Sequence, residues 1–214
     1  MDTSTINGLN AKYCKLYDRF APLYDIAARL YARWKNFNEA ARRMEYLREL
    51  DIKGGDSVLE VSVGTGANLY QLPRTARYFG LDLSWGMLTK CRKNLKKWGF
   101  QVELFQGEAE HLPFKDKSFD VVFHVGDINF FNDRAQAIHE MIRVAKPGTK
   151  IMIADENERI AEMGEKLPIS KAFYKDRPET ITAPVDLIPR NMLDIEAKNI
   201  LDGDLYCVTF RKPQ

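Results

Sequence analysis

A carboxylate and two glycines lie where a predicted strand turns into a helix. Glu60 belongs to the apolar run Val58–Val61, and Gly64 and Gly66 follow that run after Ser62. Glycine lets the backbone bend sharply and lets a ligand approach without a clash against a Cβ atom. The amides exposed where a helix begins can bind an anionic group. The stretch therefore predicts a ligand-binding turn.

A second acidic residue, Asp82, ends the next predicted strand and precedes Ser84, a natural helix N-cap. Its distance from the glycine turn is typical of the acidic residue that binds ribose hydroxyls in nucleotide-binding βαβ units.

Two classes of ligand for this turn remain open. Ser62, Gly64 and Ala67 form a tolerable variant of the dinucleotide fingerprint, so NAD is one alternative. The carboxylate of Glu60 suits a cationic amino group better than a pyrophosphate.

Short apolar runs alternate with amphipathic helices through the middle of the chain. We predict strands at 58–61, 78–83, 102–105, 119–124 and 151–154. This alternation is typical of an α/β fold with a mostly parallel sheet and helices on both faces. Asp202 and Gly203 separate two further runs, which predicts a terminal antiparallel hairpin and seven strands in all.

The flanking segments predict a single domain, residues 1–214, in which the ends cover the sheet. Residues 12–48 show helical spacing and form an N-terminal helical cap, counted as residues 1–50. The core is residues 51–214. Within it, residues 164–190 hold four of the nine prolines, including Pro168, and predict an irregular insertion over the carboxyl edge of the sheet.

Composition limits the classes of function. The chain has 214 residues, 45% of them hydrophobic, and a net charge of +2, so nucleic-acid binding is not predicted. No apolar run reaches the roughly 20 residues of a membrane-spanning helix, and Met1–Thr5 gives no secretory signal. Cys14, Cys91 and Cys207 lie far apart, which predicts a reducing, cytoplasmic location and no metal site.

The order of the motifs resembles that of class I S-adenosylmethionine-dependent methyltransferases over residues 17–155 and the final hairpin. Val58–Gly66 resembles the first motif of that family, with Ser62 where a glycine is usual; the path of the turn should stay open. Gly107–Phe114 resembles the adenine-binding loop, and Phe119–Val122 and Arg143–Gly148 match later motifs in order. The resemblance implies a Rossmann-like fold and S-adenosylmethionine as cofactor.

The resemblance also implies roles for individual residues. The residue matching Glu60 helps hold the methionine end, and the residue matching Asp82 binds the ribose hydroxyls. Glu108 would accept a hydrogen bond from the adenine amine, beside the backbone of Ala109. Leu83 and Met87 match positions that pack near the adenine, and Gly64 and Gly66 match glycines that lie against the cofactor. The predicted cofactor-binding set is Glu60, Ser62, Gly64, Gly66, Asp82, Leu83, Met87, Glu108, Ala109 and His124.

On the acceptor side, Tyr17–Asp25 resembles the segment that folds over the cofactor in ubiquinone/menaquinone and phospholipid methyltransferases. Tyr17 and Tyr24 then line the site; the alternative is that both are core aromatics. The backbone of His124 would contact the methionine part, with a role as base as the alternative. Asp127 and Asn129 would orient an acceptor or serve as solvated or capping residues. No catalytic residue is assigned.

The sequence thus predicts in-line methyl transfer in a dry pocket to a small-molecule or lipid-like acceptor. An NAD-dependent oxidoreductase and a non-catalytic S-adenosylmethionine-binding protein are the alternatives. The acceptor atom (C, N, O or S) and the oligomeric state stay open.

Residues 12–48 carry nine lysines or arginines against four acidic residues. This excess of positive charge suits peripheral contact with an anionic membrane. A solvated basic face is the preferred interpretation.

Overall fold

One mixed sheet of seven strands organises the part of the chain that the computed structural model describes, residues 6–166 and 170–214. The strands are β1 Ser57–Val61, β2 Arg77–Asp82, β3 Val102–Gln106, β4 Val121–Val125, β5 Lys150–Glu156, β6 Leu193–Ile200 and β7 Leu205–Arg211. Their order is β3-β2-β1-β4-β5-β7-β6. The first five are parallel, and β7 pairs antiparallel with both β5 and β6. The predicted fold class is confirmed.

Both faces of the central strands are buried, as expected for a parallel sheet. Leu59 of β1 packs with Ile138 and Met141 of helix α4 (Arg134–Val144) on one face. Val58 packs on the other face in a cluster that includes Leu88 of helix α3 (Trp85–Trp98). Neighbouring residues of one strand therefore serve two separate cores.

The N-terminal region forms two helices rather than the single helical stretch predicted over residues 12–48. Helix α1 spans Gly8–Trp34 with Pro22 inside it, and helix α2 spans Glu39–Leu47. The break has a local cause, because Asn38 caps α2 by accepting from the backbone N–H groups of Ala40 (3.0 Å) and Ala41 (3.2 Å). None of the helices in the described ranges has the length and apolarity needed to cross a membrane.

The start of α3 fixes the residues that follow β2. Ser84 is its N-cap, and its Oγ accepts from the N–H of Met87 at 3.0 Å. Gly99 ends the helix in the left-handed conformation, at φ +61°. The start at Ser84 matches the sequence prediction. It places the end of β2 directly before the first turn of α3.

The segment after β5 lies against α1. It contains helices α5 (Glu158–Lys166) and α6 (Lys171–Tyr174), so the predicted insertion 164–190 begins within a helix. The hydroxyl of Tyr13 donates to the carbonyl of Phe173 at 2.8 Å. Residues 167–169, including Pro168, lie outside the described residues, as do residues 1–5, on which the signal prediction rested.

Candidate functional site

A cavity of about 390 Å³ lies at the carboxyl ends of the parallel strands, beneath α1 and α2. Ser62 and Gly64 after β1 line it, as do Asp82 at the end of β2, Asp127 after β4 and Asp155 in β5. This edge is where ligands bind in doubly wound sheets. The topology therefore brings the predicted turn and carboxylates to one place.

The turn after β1 leaves open space in front of its backbone. Ser62 and Gly64 have positive φ values of 61° and 55°. A Cβ atom built on Gly64 would meet no atom within 4 Å. Ser62 adopts the left-handed conformation that a glycine would adopt there, so the turn keeps its path despite the side chain. The space at Gly64 can take the flat face of a ligand.

Gly66 packs the turn against α3. A Cβ atom there would lie 2.8 Å from the Sγ of Cys91 on α3. Gly66 does not line the cavity. The absence of a side chain lets the turn pack closely against α3.

Asp82 joins the turn to the end of β2. Its Oδ2 accepts from the N–H of Gly64 and its Oδ1 from the N–H of Ser84, each at 2.8 Å. Burial raises the pKa of Asp82 to about 6, although the two backbone N–H groups lower it. Each carboxylate oxygen keeps a further lone pair. Asp82 can therefore accept hydrogen bonds from ligand hydroxyls in the cavity.

Glu60 lies behind the cavity wall rather than in it. It is fully buried, and its Oε1 accepts from the Nδ2 of Asn68 at 2.7 Å. Asn68 lines the cavity, and its Oδ1 accepts from Arg43 (2.7 Å) and from the hydroxyl of Tyr46 (2.8 Å). Glu60 therefore acts on the cavity through Asn68, which it holds in place.

The buried carboxyl of Glu60 makes stability depend on pH. Burial raises the pKa of Glu60 from 4.5 to about 8, against the hydrogen bond from Asn68, which lowers it. The folded chain thus holds a proton that the unfolded chain has lost, and stability falls as pH rises through the folded pKa. Between about pH 6.5 and 8.5 we expect Glu60 to remove about 1–2 kcal/mol of unfolding free energy.

Glu60→Gln is the matched variant, because its amide oxygen can still accept from Asn68. Urea denaturation of the ligand-free protein at the two pH values should show a smaller loss in the variant than in the parent chain. Burial lowers the pKa of His124 to about 4, which acts in the opposite sense mainly below the tested range and equally in both proteins. An identical pH dependence in both proteins would show that Glu60 is ionised in the fold.

The loop after β3 lines another part of the cavity. Glu108 and Ala109 lie there, and Leu83 and Met87 line the same cavity. Asn10 of α1 donates its Nδ2 to the Oε1 of Glu108 at 2.9 Å. The four predicted residues are brought together, and Asn10 is an addition that no local motif signals, because its partner lies 98 residues away.

Three carboxyl groups cluster on the side of β4 and β5. The hydroxyl of Tyr17 donates to the Oδ2 of Asp127 at 2.5 Å, and the N–H of Asp127 donates to Asp155 at 3.0 Å. Tyr174 donates to Glu156. Burial raises the pKa of Asp155 to about 7 and that of Glu156 to about 8, and it also raises the pKa of Asp127. A cationic ligand would stabilise their charged forms.

Asp155 and Glu156 line the cavity but were absent from the predicted site. A signal for them existed, because they directly follow the apolar run at 151–154. The carboxyl ends of parallel strands meet at one edge, so an acidic pair at the end of the fifth strand belongs with Asp82.

His124 and Asn129 do not reach the cavity. The Nδ1–H of His124 donates to the carbonyl of Val61 at 3.0 Å, and burial keeps the ring uncharged at neutral pH. Asn129 donates to Asp155 (2.9 Å) and accepts from Arg134 (3.1 Å). The ring of His124 therefore makes a local hydrogen bond instead of serving as a base, and the side chain of Asn129 holds Asp155.

The roof of the cavity is aromatic. Tyr17 and Tyr24 line it from α1, with ring centroids 6.4 Å apart. Tyr24 is exposed, so the alternative of a core aromatic does not describe it. Tyr31 and Phe37 continue the same wall. The cavity therefore combines an aromatic roof with a carboxyl-rich floor.

Comparison with known proteins gives one family. A family model described as a methyltransferase domain matches residues 58–148. The chain is 29% identical over 170 residues to the uncharacterized methyltransferase YdaC of Bacillus subtilis (strain 168), covering 78% of the chain and 89% of that relative. It is 31% identical over 149 residues to a demethylmenaquinone methyltransferase of Lactobacillus johnsonii, covering 67% of the chain but only 60% of that longer relative.

A solved structure supports the fold. The crystal structure of an S-adenosylmethionine-dependent methyltransferase from Thermotoga maritima superposes with a TM-score of 0.70 at 21% identity. The match covers 93% of this chain and 99% of that chain. The two chains therefore share the same overall fold.

Proposed function

The chain belongs to the class I S-adenosylmethionine-dependent methyltransferases, and from that premise we propose that it methylates a small-molecule or lipid-like acceptor in the cavity. The observation that carries the proposal is the open space at Gly64 directly beside the carboxylate of Asp82. A nucleoside with a flat face and two hydroxyls suits that space. The acidic floor suits the positive charge of the cofactor better than it would suit the pyrophosphate of NAD.

The residues around the cavity fit S-adenosylmethionine, which supplies a methyl group on a positively charged sulfur. We propose that Asp82 accepts from the ribose hydroxyls and that Glu108, beside Ala109, accepts from the adenine amine. Leu83 and Met87 would pack near the base. The methionine end would lie toward the carboxyls on β4 and β5, with Asn68 held by Glu60 on the opposite wall.

The chain itself has three tasks in such a transfer. It must hold the acceptor in line with the methyl group, keep water out, and take a proton from acceptors that lose one. The aromatic roof serves the first two. Glu156 is suited to the third, because it lines the cavity and has a pKa of about 8, near the pH at which it would work.

Two observations support a lipid-like acceptor. The wall formed by Tyr24, Tyr31 and Phe37 offers apolar and aromatic surface next to the acidic floor. The relative from Lactobacillus johnsonii is named for a quinone lipid, demethylmenaquinone.

We further propose that residues 1–214 act as one domain, with 1–50 as cap and 164–190 as insertion. The buried unpaired thiols of Cys14, Cys91 and Cys207 support a cytoplasmic location.

A transfer assay tests the proposal. The protein is incubated with S-adenosylmethionine labelled in its methyl group and with separate pools of quinols, phospholipids and small amines, alcohols and thiols. We expect label in one pool and one S-adenosylhomocysteine per methyl group transferred. Cofactor binding without transfer to any pool would favour the non-catalytic alternative. Binding of NADH without binding of S-adenosylmethionine would favour the oxidoreductase.

A further inference from the structure

The second half of α1 exposes large apolar side chains. Leu23, Ile26, Leu30 and Trp34, here called the outer apolar sector, are between 47% and 69% exposed. Their spacing places them on one side of the helix. Contiguous apolar surface of this kind marks an interaction site in most proteins.

The outer apolar sector adjoins the mouth of the cavity. Tyr24 and Tyr31 line the cavity, and each follows a member of the sector, Leu23 and Leu30, in the sequence. Successive residues of a helix are about 100° apart, so the sector and the cavity wall are neighbouring faces of α1. Whatever covers the sector therefore also lies beside the opening of the cavity.

The charges around the sector are positive. Arg19, Arg29, Arg33 and Lys35 are exposed on the same stretch of chain. At helical spacing, Arg29 and Arg33 lie on the side of the sector away from the cavity, and Arg19 lies in line with the sector about one turn before it. A basic face beside an apolar face that contains tryptophan is typical of helices that lie in the surface of a membrane.

The acidic residues of this stretch face α3 rather than the outer apolar sector, and Asp25 also pairs with Lys90 of α3 at 3.6 Å. The Oδ1 of Asp18 accepts from the Oγ of Ser84 (2.6 Å) and the N–H of Gly86 (2.7 Å). Asp25 accepts from Asn94 at 2.9 Å. The basic residues therefore dominate the outer surface of α1 between residues 19 and 35.

We propose that the outer apolar sector docks on an anionic lipid bilayer, so that the cavity opens toward the membrane and receives a lipid acceptor from it. The lipid acceptor rests on the proposed function; the docking rests on the surface alone. Anionic lipid complements Arg29, Arg33 and Lys35. A second copy of the chain packed symmetrically on the sector would instead bring these cations together.

Cosedimentation of the full chain with vesicles tests the docking. One set contains phosphatidylcholine only, and the other contains phosphatidylcholine and phosphatidylglycerol in equal amounts. We expect at least about tenfold stronger partitioning to the anionic set, and we expect it to weaken with added salt. Leu23→Ser/Leu30→Ser/Trp34→Ser should lose at least about tenfold in partitioning, as should Arg29→Glu/Arg33→Glu.

The matched control is Leu193→Ser/Ile195→Ser on the edge strand β6, where the two side chains are 49% and 37% exposed. It removes exposed apolar surface at the edge of the sheet and should bind vesicles like the parent chain. None of the substituted residues lines the cavity, so melting temperature and cofactor affinity should stay unchanged in all variants.

Equal partitioning to both vesicle sets, or full binding by the triple variant, would overturn the docking. So would a dimer in sedimentation equilibrium that the triple variant dissociates, since a second copy would then cover the sector. If the parent chain does not bind vesicles but still binds the cofactor and methylates a soluble acceptor, only this inference is rejected. Vesicle binding without cofactor binding rejects only the proposed function.

Discussion

Gly64→Val is expected to weaken binding of S-adenosylmethionine more than about 100-fold, or about 3 kcal/mol. The backbone of Gly64 has φ +55°, which costs a non-glycine residue about 1–2 kcal/mol. The new side chain would also project into the open space that the nucleoside needs, because nothing else lies within 4 Å of that Cβ position. Isothermal titration calorimetry measures the loss.

Gly99→Val separates the two causes. Gly99 has φ +61° and an equally open Cβ position, but it ends α3 and does not line the cavity. The variant should show a similar loss of thermal stability and retain cofactor affinity. Wild-type affinity in Gly64→Val, or an equal loss of affinity in both variants, would mean that Gly64 does not face the cofactor.

Asp82→Ala should weaken cofactor binding by about 1–3 kcal/mol, the cost of leaving buried polar partners unpaired. The change removes the proposed acceptor of the ribose hydroxyls. It also frees the N–H groups of Gly64 and Ser84, which Asp82 now binds, and so loosens the turn. Titration of S-adenosylmethionine and of adenosine into the variant measures the effect on the whole cofactor and on its nucleoside.

Asp120→Ala is the control for a lost carboxylate that holds the backbone. Asp120 accepts a hydrogen bond from the N–H of Ser57, the first residue of β1, at 3.0 Å, and another from Lys146. Asp120 does not line the cavity. The variant should lose stability and keep its cofactor affinity within about twofold, because distant sites act independently. Unchanged affinity in Asp82→Ala would show that the ribose assignment is wrong.

The parts of the fold that follow from local patterns were predictable. Ser84 and Gly99 mark the two ends of α3 by capping chemistry alone. Alternating apolar runs and amphipathic helices fix a parallel sheet, and the reversal at Asp202 and Gly203 fixes its antiparallel end. The split between α1 and α2 was missed, although Asn38 is a good N-cap, because the apolar spacing continues across it.

The site was predictable where a backbone turn or strand end decides the position, as at Gly64 and Asp82. It was not predictable where a side chain's direction depends on distant packing. Glu60 faces Asn68, which in turn binds Arg43 of α2, a helix that no motif of β1 specifies. Asn10 reaches Glu108 only because α1 crosses the sheet edge.

A crystal structure of the protein with S-adenosylhomocysteine would examine the binding cavity itself. We expect the ribose hydroxyls within hydrogen-bonding distance of the Asp82 carboxylate, the adenine beside Glu108 and Ala109, and the backbone of Gly64 against the nucleoside. Density for the nucleoside anywhere outside this cavity, or with its ribose away from Asp82, would contradict the assignment.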